Sequence, residues 1–204
     1  MDKTIGVSVV LLAAGVSTRM GADNKLHLPI NGEALLNHAI NNFQNAGLQD
    51  IVVVLGYQHE ESADLLQGED VTCIVNHDYL SGQVSSVRCG LAKANTNSEA
   101  IFMALGDQPK ISEKTVTTLL DVFENRGTAP TKQAIVPYFK GKRGNPVLIS
   151  DQARQEILAE NRDYGCREYM DSNPELVLNV ELDDKGVITD LDTMDDYQNY
   201  CSRI

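Results

Sequence analysis

The chain has 204 residues, 42% of them hydrophobic and 23% charged, which fits one globular domain with a core of its own. A formal net charge of −12 argues against a nonspecific nucleic-acid binder, and 5% aromatics without Trp disfavour a stacking platform for single strands. The longest early apolar stretch, 9–14, is too short for a signal core or a membrane span, so a cytosolic chain is expected.

Residues 7–12 form an apolar run rich in β-branched side chains, the pattern of a strand buried on both faces in a parallel sheet. Ala13, Ala14 and Gly15 keep side chains small where that strand ends, which lets backbone N–H groups approach a bulky anion. Ser17, Thr18, Arg19 and Lys25 then add hydroxyl donors and two cations. The combination suits a triphosphate cradle; the alternative is that Arg19 and Lys25 are solvated cations beside an ordinary strand-to-helix loop. Neither GxGxxG nor GxxxxGK[ST] occurs here, which disfavours a dinucleotide fold and a P-loop.

Residues 26–30 read as a short extended segment, and Pro29 with Asn31-Gly32 as a turn. Over 33–46, Leu35, Leu36, Ala39, Ile40 and Phe43 recur at helical spacing, with Gly47 as the stop. A second buried strand is expected at 51–55, a short helix at 60–67 and a third strand at 71–75, with Cys73 in the core. A polar loop containing Ser81-Gly82 leads into a helix that runs to residue 94 or so. The fourth strand, 101–105, ends at Gly106-Asp107-Gln108-Pro109, and Ser112 can cap the helix that follows. Strands at 133–137 and 147–149 flank a basic turn, 140–143, and Gly144-Asn145-Pro146. Asp151 is expected to cap another helix. Strands at 176–180 and 187–189 and a closing helix at 195–200 complete the chain. The four cysteines, Cys73, Cys89, Cys166 and Cys201, form no CxxC pair, so neither a zinc site nor a disulfide framework is expected. Strands alternating with helices predict an α/β fold with a mostly parallel central sheet.

In open α/β sheets, ligands bind outside the carboxyl ends of the strands. Polar motifs follow the strands that end at Leu12, Val75 and Leu105, so they converge on one cleft. Asp107 is the sharpest candidate in it. A carboxylate there can hold Mg²⁺ through oxygen, with water and triphosphate completing the octahedron; alternatively it stabilises a loop or helix N-terminus. Gly82 permits close approach, and Ser85 and Ser86 can donate at the start of a helix. Ordinary capping is the alternative role for Ser81. His77 reads as a loop residue rather than a general base.

The run Leu12-Ala13-Ala14-Gly15-Val16-Ser17-Thr18-Arg19-Met20-Gly21, followed by Lys25, resembles the LAAGxSxRMG signature of the MobA-like nucleotidyltransferases. Gly106-Asp107-Gln108-Pro109 resembles that family's metal-binding motif, and 81–88 its segment that contacts base and ribose. The resemblance implies a nucleotide site of Leu12, Ala13, Ala14, Gly15, Ser17, Arg19, Lys25, Ser81, Gly82, Ser85, Ser86 and Asp107. Arg19, Lys25 and Asp107 carry the chemistry in that reading. Asp190-Leu191-Asp192-Thr193-Met194-Asp195-Asp196-Tyr197 resembles the family's DIDTPEDY, with Met194 in place of proline. It implies a second metal ligand, Asp192 in preference to Asp190; an acidic, solvated helix start is the alternative. Arg143-Gly144-Asn145-Pro146 resembles the segment after which the acceptor pocket opens. Arg162-Asp163-Tyr164-Gly165-Cys166-Arg167 resembles GDxGAR, with Arg162 replacing the first glycine and Cys166 the alanine. Arg143, Asn145, Asp163 and Arg167 are therefore implied acceptor contacts, with a solvated helix face as the alternative for Arg162 and Arg167.

The resemblance spans 7–200 and implies a Rossmann-like three-layer sandwich of the nucleotide-diphospho-sugar transferase type. Its nucleotide-binding part would cover residues 1–110 and its acceptor-binding part 111–204, within a single domain. Within the family, the motif set looks most like molybdenum cofactor cytidylyltransferases. These use Mg²⁺, CTP and molybdopterin, release pyrophosphate and supply molybdenum hydroxylases. Guanylyl-transferring relatives usually carry LAGG, so Ala14 points toward cytosine. Two alternatives remain open: a related transferase acting on a sugar or polyol phosphate, and a non-catalytic cofactor carrier or maturation partner for a molybdenum hydroxylase.

Overall fold

A computed structural model of the chain describes residues 6–17, 24–127 and 131–202. In chain order its elements are β1 (Val7–Ala13), β2 (Pro29–Ile30), β3 (Glu33–Ala34), α1 (Leu35–Asn45), β4 (Ile51–Leu55), α2 (His59–Leu65), β5 (Thr72–Val75), α3 (Gln83–Lys93) and β6 (Ala100–Leu105). There follow α4 (Glu113–Glu124), β7 (Ala134–Phe139), β8 (Lys142–Arg143), β9 (Val147–Ser150), α5 (Asp151–Ala159), α6 (Cys166–Ser172), β10 (Val177–Glu181) and α7 (Met194–Cys201).

The main sheet runs β10-β7-β9-β6-β1-β4-β5, with β8 paired to β7. β6, β1, β4 and β5 are parallel neighbours, as are β7 and β10. β9 runs antiparallel between β6 and β7. The expected α/β architecture with a mostly parallel sheet is therefore present. Side-chain alternation along β1 explains why its sequence is apolar at every position. Val9, Leu11 and Ala13 join the core under α1 and α4, while Val10 joins the core under α3, α5 and α6. β6 divides the same way, Phe102 to one side and Ile101 and Met103 to the other. Helices thus cover both faces.

α3 crosses over from β5 to β6 and packs directly on the sheet. Gly90 permits this: a Cβ there would lie 2.2 Å from Val10 Cγ1 and 2.9 Å from Val54 Cγ2. Because the helix runs back along parallel strands, its first residues stand at their carboxyl ends, where ligands collect in such sheets.

Several local expectations are corrected. Pro29 lies in β2, and Asn31-Gly32 alone forms the turn to β3. That hairpin takes Glu33 and Ala34 from the expected helix, so α1 starts at Leu35. Ser150, not Asp151, caps α5: the chain is still extended there, and Ser150 Oγ accepts from the Ala153 N–H at 3.0 Å. Asp151 instead pairs with Arg154. The expected strand at 187–189 is a 3-10 turn, Lys185–Ile188. Asp184 Oδ1 accepts the Gly186 N–H at 2.8 Å and Gly186 O accepts the Thr189 N–H at 3.1 Å, so these groups pair locally rather than with a strand. Cys73 is exposed because β5 is an edge strand, and all four cysteines are free thiols. Ser112 caps α4 as expected, accepting from the Thr115 N–H at 3.1 Å.

Candidate functional site

β1 and β6 lie side by side, so their carboxyl ends deliver the first loop and Asp107 to one place. The two segments are tied directly: the Gly106 N–H donates to Leu12 O at 2.9 Å. Ser17 and Asn24 order the far end of the loop. Ser17 Oγ accepts the Lys25 N–H at 3.3 Å, and Asn24 Oδ1 accepts the Leu26 N–H at 3.1 Å, capping a 3-10 turn, Lys25–His27. That turn aims Lys25 inward. Thr18 and Arg19 lie outside the described residues.

Lys25 Nζ is 2.5 Å from Asp107 Oδ2 and 2.6 Å from Asp192 Oδ1, with the three side chains 13%, 18% and 28% exposed. Burial alone would push the Lys25 ammonium down. The carboxylates, Asp107 foremost, outweigh that effect and hold it above the ordinary lysine value, so it is a cation at neutral pH. Asp192 reaches the site because the Leu191 N–H donates to Asp107 O at 3.0 Å, laying the segment before α7 alongside the end of β6. Asp190 points elsewhere, accepting from Gln108 Nε2 at 2.5 Å. Burial, then the charge of Asp107, raises its carboxyl above the ordinary value. α7 is not loosened by Met194, since Thr193 and Asp196 cap it reciprocally, with the Asp196 N–H 3.1 Å from Thr193 Oγ1.

The arrangement fits a hard divalent cation. Asp107 Oδ1 is buried and meets no hydrogen-bond partner among the described residues. Such an orphaned carboxylate oxygen beside a second carboxylate suits a cation. No group of three or more His, Cys, Asp or Glu among the described residues clusters as a ready-made cage. Mg²⁺ needs none, because it commonly takes one or two carboxylates and completes its shell with phosphate and water.

These residues form the floor of a cavity of about 340 Å³. Its walls are the first loop from Leu12 to Ser17 on one side and Tyr79, Gly82, Gln83 and Ser86 on the other. Of the serines expected here, Ser86 lines the cavity. Ser81 and Ser85 do not; their hydroxyls donate to Asp78 O at 2.8 and 2.9 Å. Gly82 caps α3 without a side-chain hydrogen bond, so the helix opens toward the cavity. His77 sits in a loop edge-on to His59. Tyr79 was not expected, and Gln83 fell within the 81–88 segment without being singled out; both flank the Ser81-Gly82 turn. Gln108, also unforeseen, is 2% exposed and secures Asp190.

A second cavity, about 370 Å³, adjoins the first. Arg143, Asn145 and Arg167 line it, together with Cys166, Met103 and Met170. Asp163 is exposed and off this lining. Arg143 lies 3.5 Å and Arg167 4.0 Å from Asp171, loose exposed pairs that leave both guanidinium groups available to an anion. Burial pushes the Cys166 thiol up to about 12, so it is a neutral wall of the cavity. No helix among the described residues is long and apolar enough to cross a membrane.

The chain is similar to known proteins in sequence and in fold. The MobA-like NTP transferase domain model matches residues 9–177. Nicotine blue oxidoreductase of Paenarthrobacter nicotinovorans is 31% identical over 191 residues, covering 93% of both chains. Molybdenum cofactor cytidylyltransferase of Escherichia coli is 27% identical over 192 residues, covering 94% of this chain and 93% of that protein. Among solved structures, Rv0371c from Mycobacterium tuberculosis shares the fold with a TM-score of 0.81 at 24% identity, covering 98% of this chain and 100% of that one. A manganese complex of Rv0371c gives a TM-score of 0.73 at 21% identity, with the same coverage.

Proposed function

The chain belongs to the MobA-like NTP transferase family, and from that premise we propose that it transfers CMP from CTP to the phosphate of molybdopterin, releasing pyrophosphate. The observation that carries this reading is Lys25, an ammonium held between Asp107 and Asp192 on the floor of the cavity that the first loop walls.

The mechanism follows from charge. An oxygen of the acceptor phosphate attacks the α-phosphorus of the nucleotide, and pyrophosphate leaves in line with the electron pair of the broken bond. The acceptor oxygen is already ionised, so no general base is required. Such transfer depends on positioning and charge stabilisation. Beyond the end of β1, the loop of Ala14, Gly15 and Ser17 presents backbone N–H groups to the triphosphate, with Leu12 and Ala13 setting its base. Lys25, with Arg19, neutralises the triphosphate and the departing pyrophosphate. Asp107 and Asp192 would hold Mg²⁺, which when bound supplies Lewis-acid neutralisation of the phosphates. The second cavity takes the acceptor, with Arg143 and Arg167 drawing its phosphate and Asn145 donating to it. Ser86 and Gly82 border the ribose and base. The methyl of Ala14, on the cavity wall, favours a pyrimidine over a purine. The reaction is cytosolic, with a molybdenum hydroxylase as recipient of the product.

Screening the four NTPs against molybdopterin for pyrophosphate release tests this reading. CTP is expected to give turnover that chelation of divalent metal abolishes. Turnover with a sugar or polyol phosphate instead would keep the transferase and change the acceptor. Cofactor binding without pyrophosphate release would make the chain a carrier. The 31% identity to nicotine blue oxidoreductase favours a second reading, a redox reaction on nicotine blue or a compound like it. Redox turnover of nicotine blue, with no pyrophosphate from any NTP, would select it.

A further inference from the structure

We propose that Gln83 is a catalytic residue whose side-chain amide holds the phosphoryl group as it passes between the two substrates. The two cavities share three lining residues, Leu12, Gln83 and Leu105. Leu12 and Leu105 are apolar, so among the described residues Gln83 bears the one polar side chain common to both. It is the first residue of α3 and stands exposed at the junction. The hydroxyls of neighbouring Ser81, Ser85 and Ser86 are engaged with Asp78, Gly82 and Asn76. The Gln83 amide makes no hydrogen bond among the described residues, so its donors are available to a ligand.

The inference rests on the transferase reading. Joining two substrates held in adjoining cavities requires the acceptor phosphate and the α-phosphate to meet where the cavities meet. In that step one acceptor oxygen bonds to the α-phosphorus while the bond to the bridging oxygen breaks. Charge gathers on the non-bridging oxygens of the transferred group. Lys25 serves the nucleotide cavity and Arg143 and Arg167 the acceptor cavity, leaving the junction itself without a cation among the described residues. A neutral amide suits that point. It donates two hydrogen bonds to the developing charge, has no proton to lose, and does not hold the dinucleotide product as an ammonium would.

The test compares wild type, Gln83→Ala and Gln83→Glu by steady-state pyrophosphate release and by calorimetric NTP binding. The pair used is whichever NTP and acceptor phosphate wild type turns over best. Because Gln83 is exposed, both variants are expected to fold as wild type does. Gln83→Ala should lower kcat on the order of 10–100-fold with KM for the nucleotide within about twofold, since the donor acts in the transition state. Gln83→Glu should lower kcat further by repelling the phosphates. Wild type active with both variants within about twofold of its kcat overturns the role of Gln83 while the transferase stands. A raised nucleotide KM with kcat unchanged also overturns it, reducing Gln83 to a binding contact. Wild type inactive on every pair overturns the transferase reading itself, and this inference with it.

Discussion

Lys25 Nζ donates to Asp192 Oδ1 at 2.6 Å across 167 positions of sequence. The same ammonium meets Asp107 at 2.5 Å, so one side chain joins the first loop, the end of β6 and the segment before α7. Lys25→Ala leaves two carboxylates facing each other without their shared cation. It should weaken transition-state stabilisation by about 2–4 kcal/mol, and Arg19→Ala by a similar amount. Measured kcat/KM equal to wild type would make both residues mere counter-ions.

Asp107→Ala removes the partly buried carboxylate with the orphaned oxygen. Turnover should nearly vanish while circular dichroism and thermal unfolding show a folded chain. A folded variant with near-normal divalent-metal dependence would remove Asp107 from the mechanism.

Base choice rests on Ala14, which lines the nucleotide cavity though only 5% exposed. A misfit of a methyl group or so is typically worth about 1–3 kcal/mol. CTP should therefore outcompete GTP by a clear but finite ratio, and Ala14→Gly should relax that ratio without reversing it. Competitive turnover at equal CTP and GTP checks this; a wild-type preference for GTP sinks the cytidylyl assignment.

Gly56, just after β4, lets the two walls of that cavity close onto its backbone by lacking a side chain. A Cβ there would fall 2.7 Å from Ala14 O and 2.8 Å from Tyr79 Cβ. Gly56→Ala should cost about 1–3 kcal/mol of stability through overpacking. It should also raise the nucleotide KM, because both walls must shift. Urea unfolding together with nucleotide titration separates the effects, and an unchanged KM would show that the loop absorbs the methyl.

Asp184 couples the 3-10 turn to the start of α4, accepting from Ser112 Oγ at 2.8 Å and Thr115 Oγ1 at 2.6 Å. Burial pushes its carboxyl up, but the hydrogen bonds from Thr115, Ser112 and Gly186 prevail and hold it below the ordinary 3.8. Its contribution is therefore full above that value and is lost as pH falls through the lower folded-state pKa. Asp184→Ala should destabilise by about 1–3 kcal/mol at neutral pH. The gap from wild type should narrow as pH drops below 3.8. A gap constant with pH would mean that the carboxylate charge is not what stabilises the turn.

Much of this protein was written in local pattern. β4 coincides with an unbroken apolar run, IVVVL, because a strand buried on both faces has no polar position to blur its ends. Leu35, Leu36, Ala39, Ile40 and Phe43 marked α1, and Ser112 marked the start of α4. The residues around Asp107 were legible as candidates because polar motifs follow the strands that end at Leu12, Val75 and Leu105, and in open α/β sheets those ends meet at one cleft.

What pattern left open was settled by long-range contact. Pairing of β2 with β3 moved the start of α1, and the edge position of β5 exposed Cys73. Asp190 and Asp192 are chemically alike and two positions apart. Gln108 holds the first and Lys25 the second, and both partners come from the other end of the chain or the far side of the cleft. Gln83 sits where two cavities overlap, and its neighbours in sequence do not encode that overlap. The physical reason is common to these cases: backbone propensity and hydrophobic period act over a few residues, whereas a carboxylate's partner and a cavity's wall depend on how strands distant in sequence are brought into register.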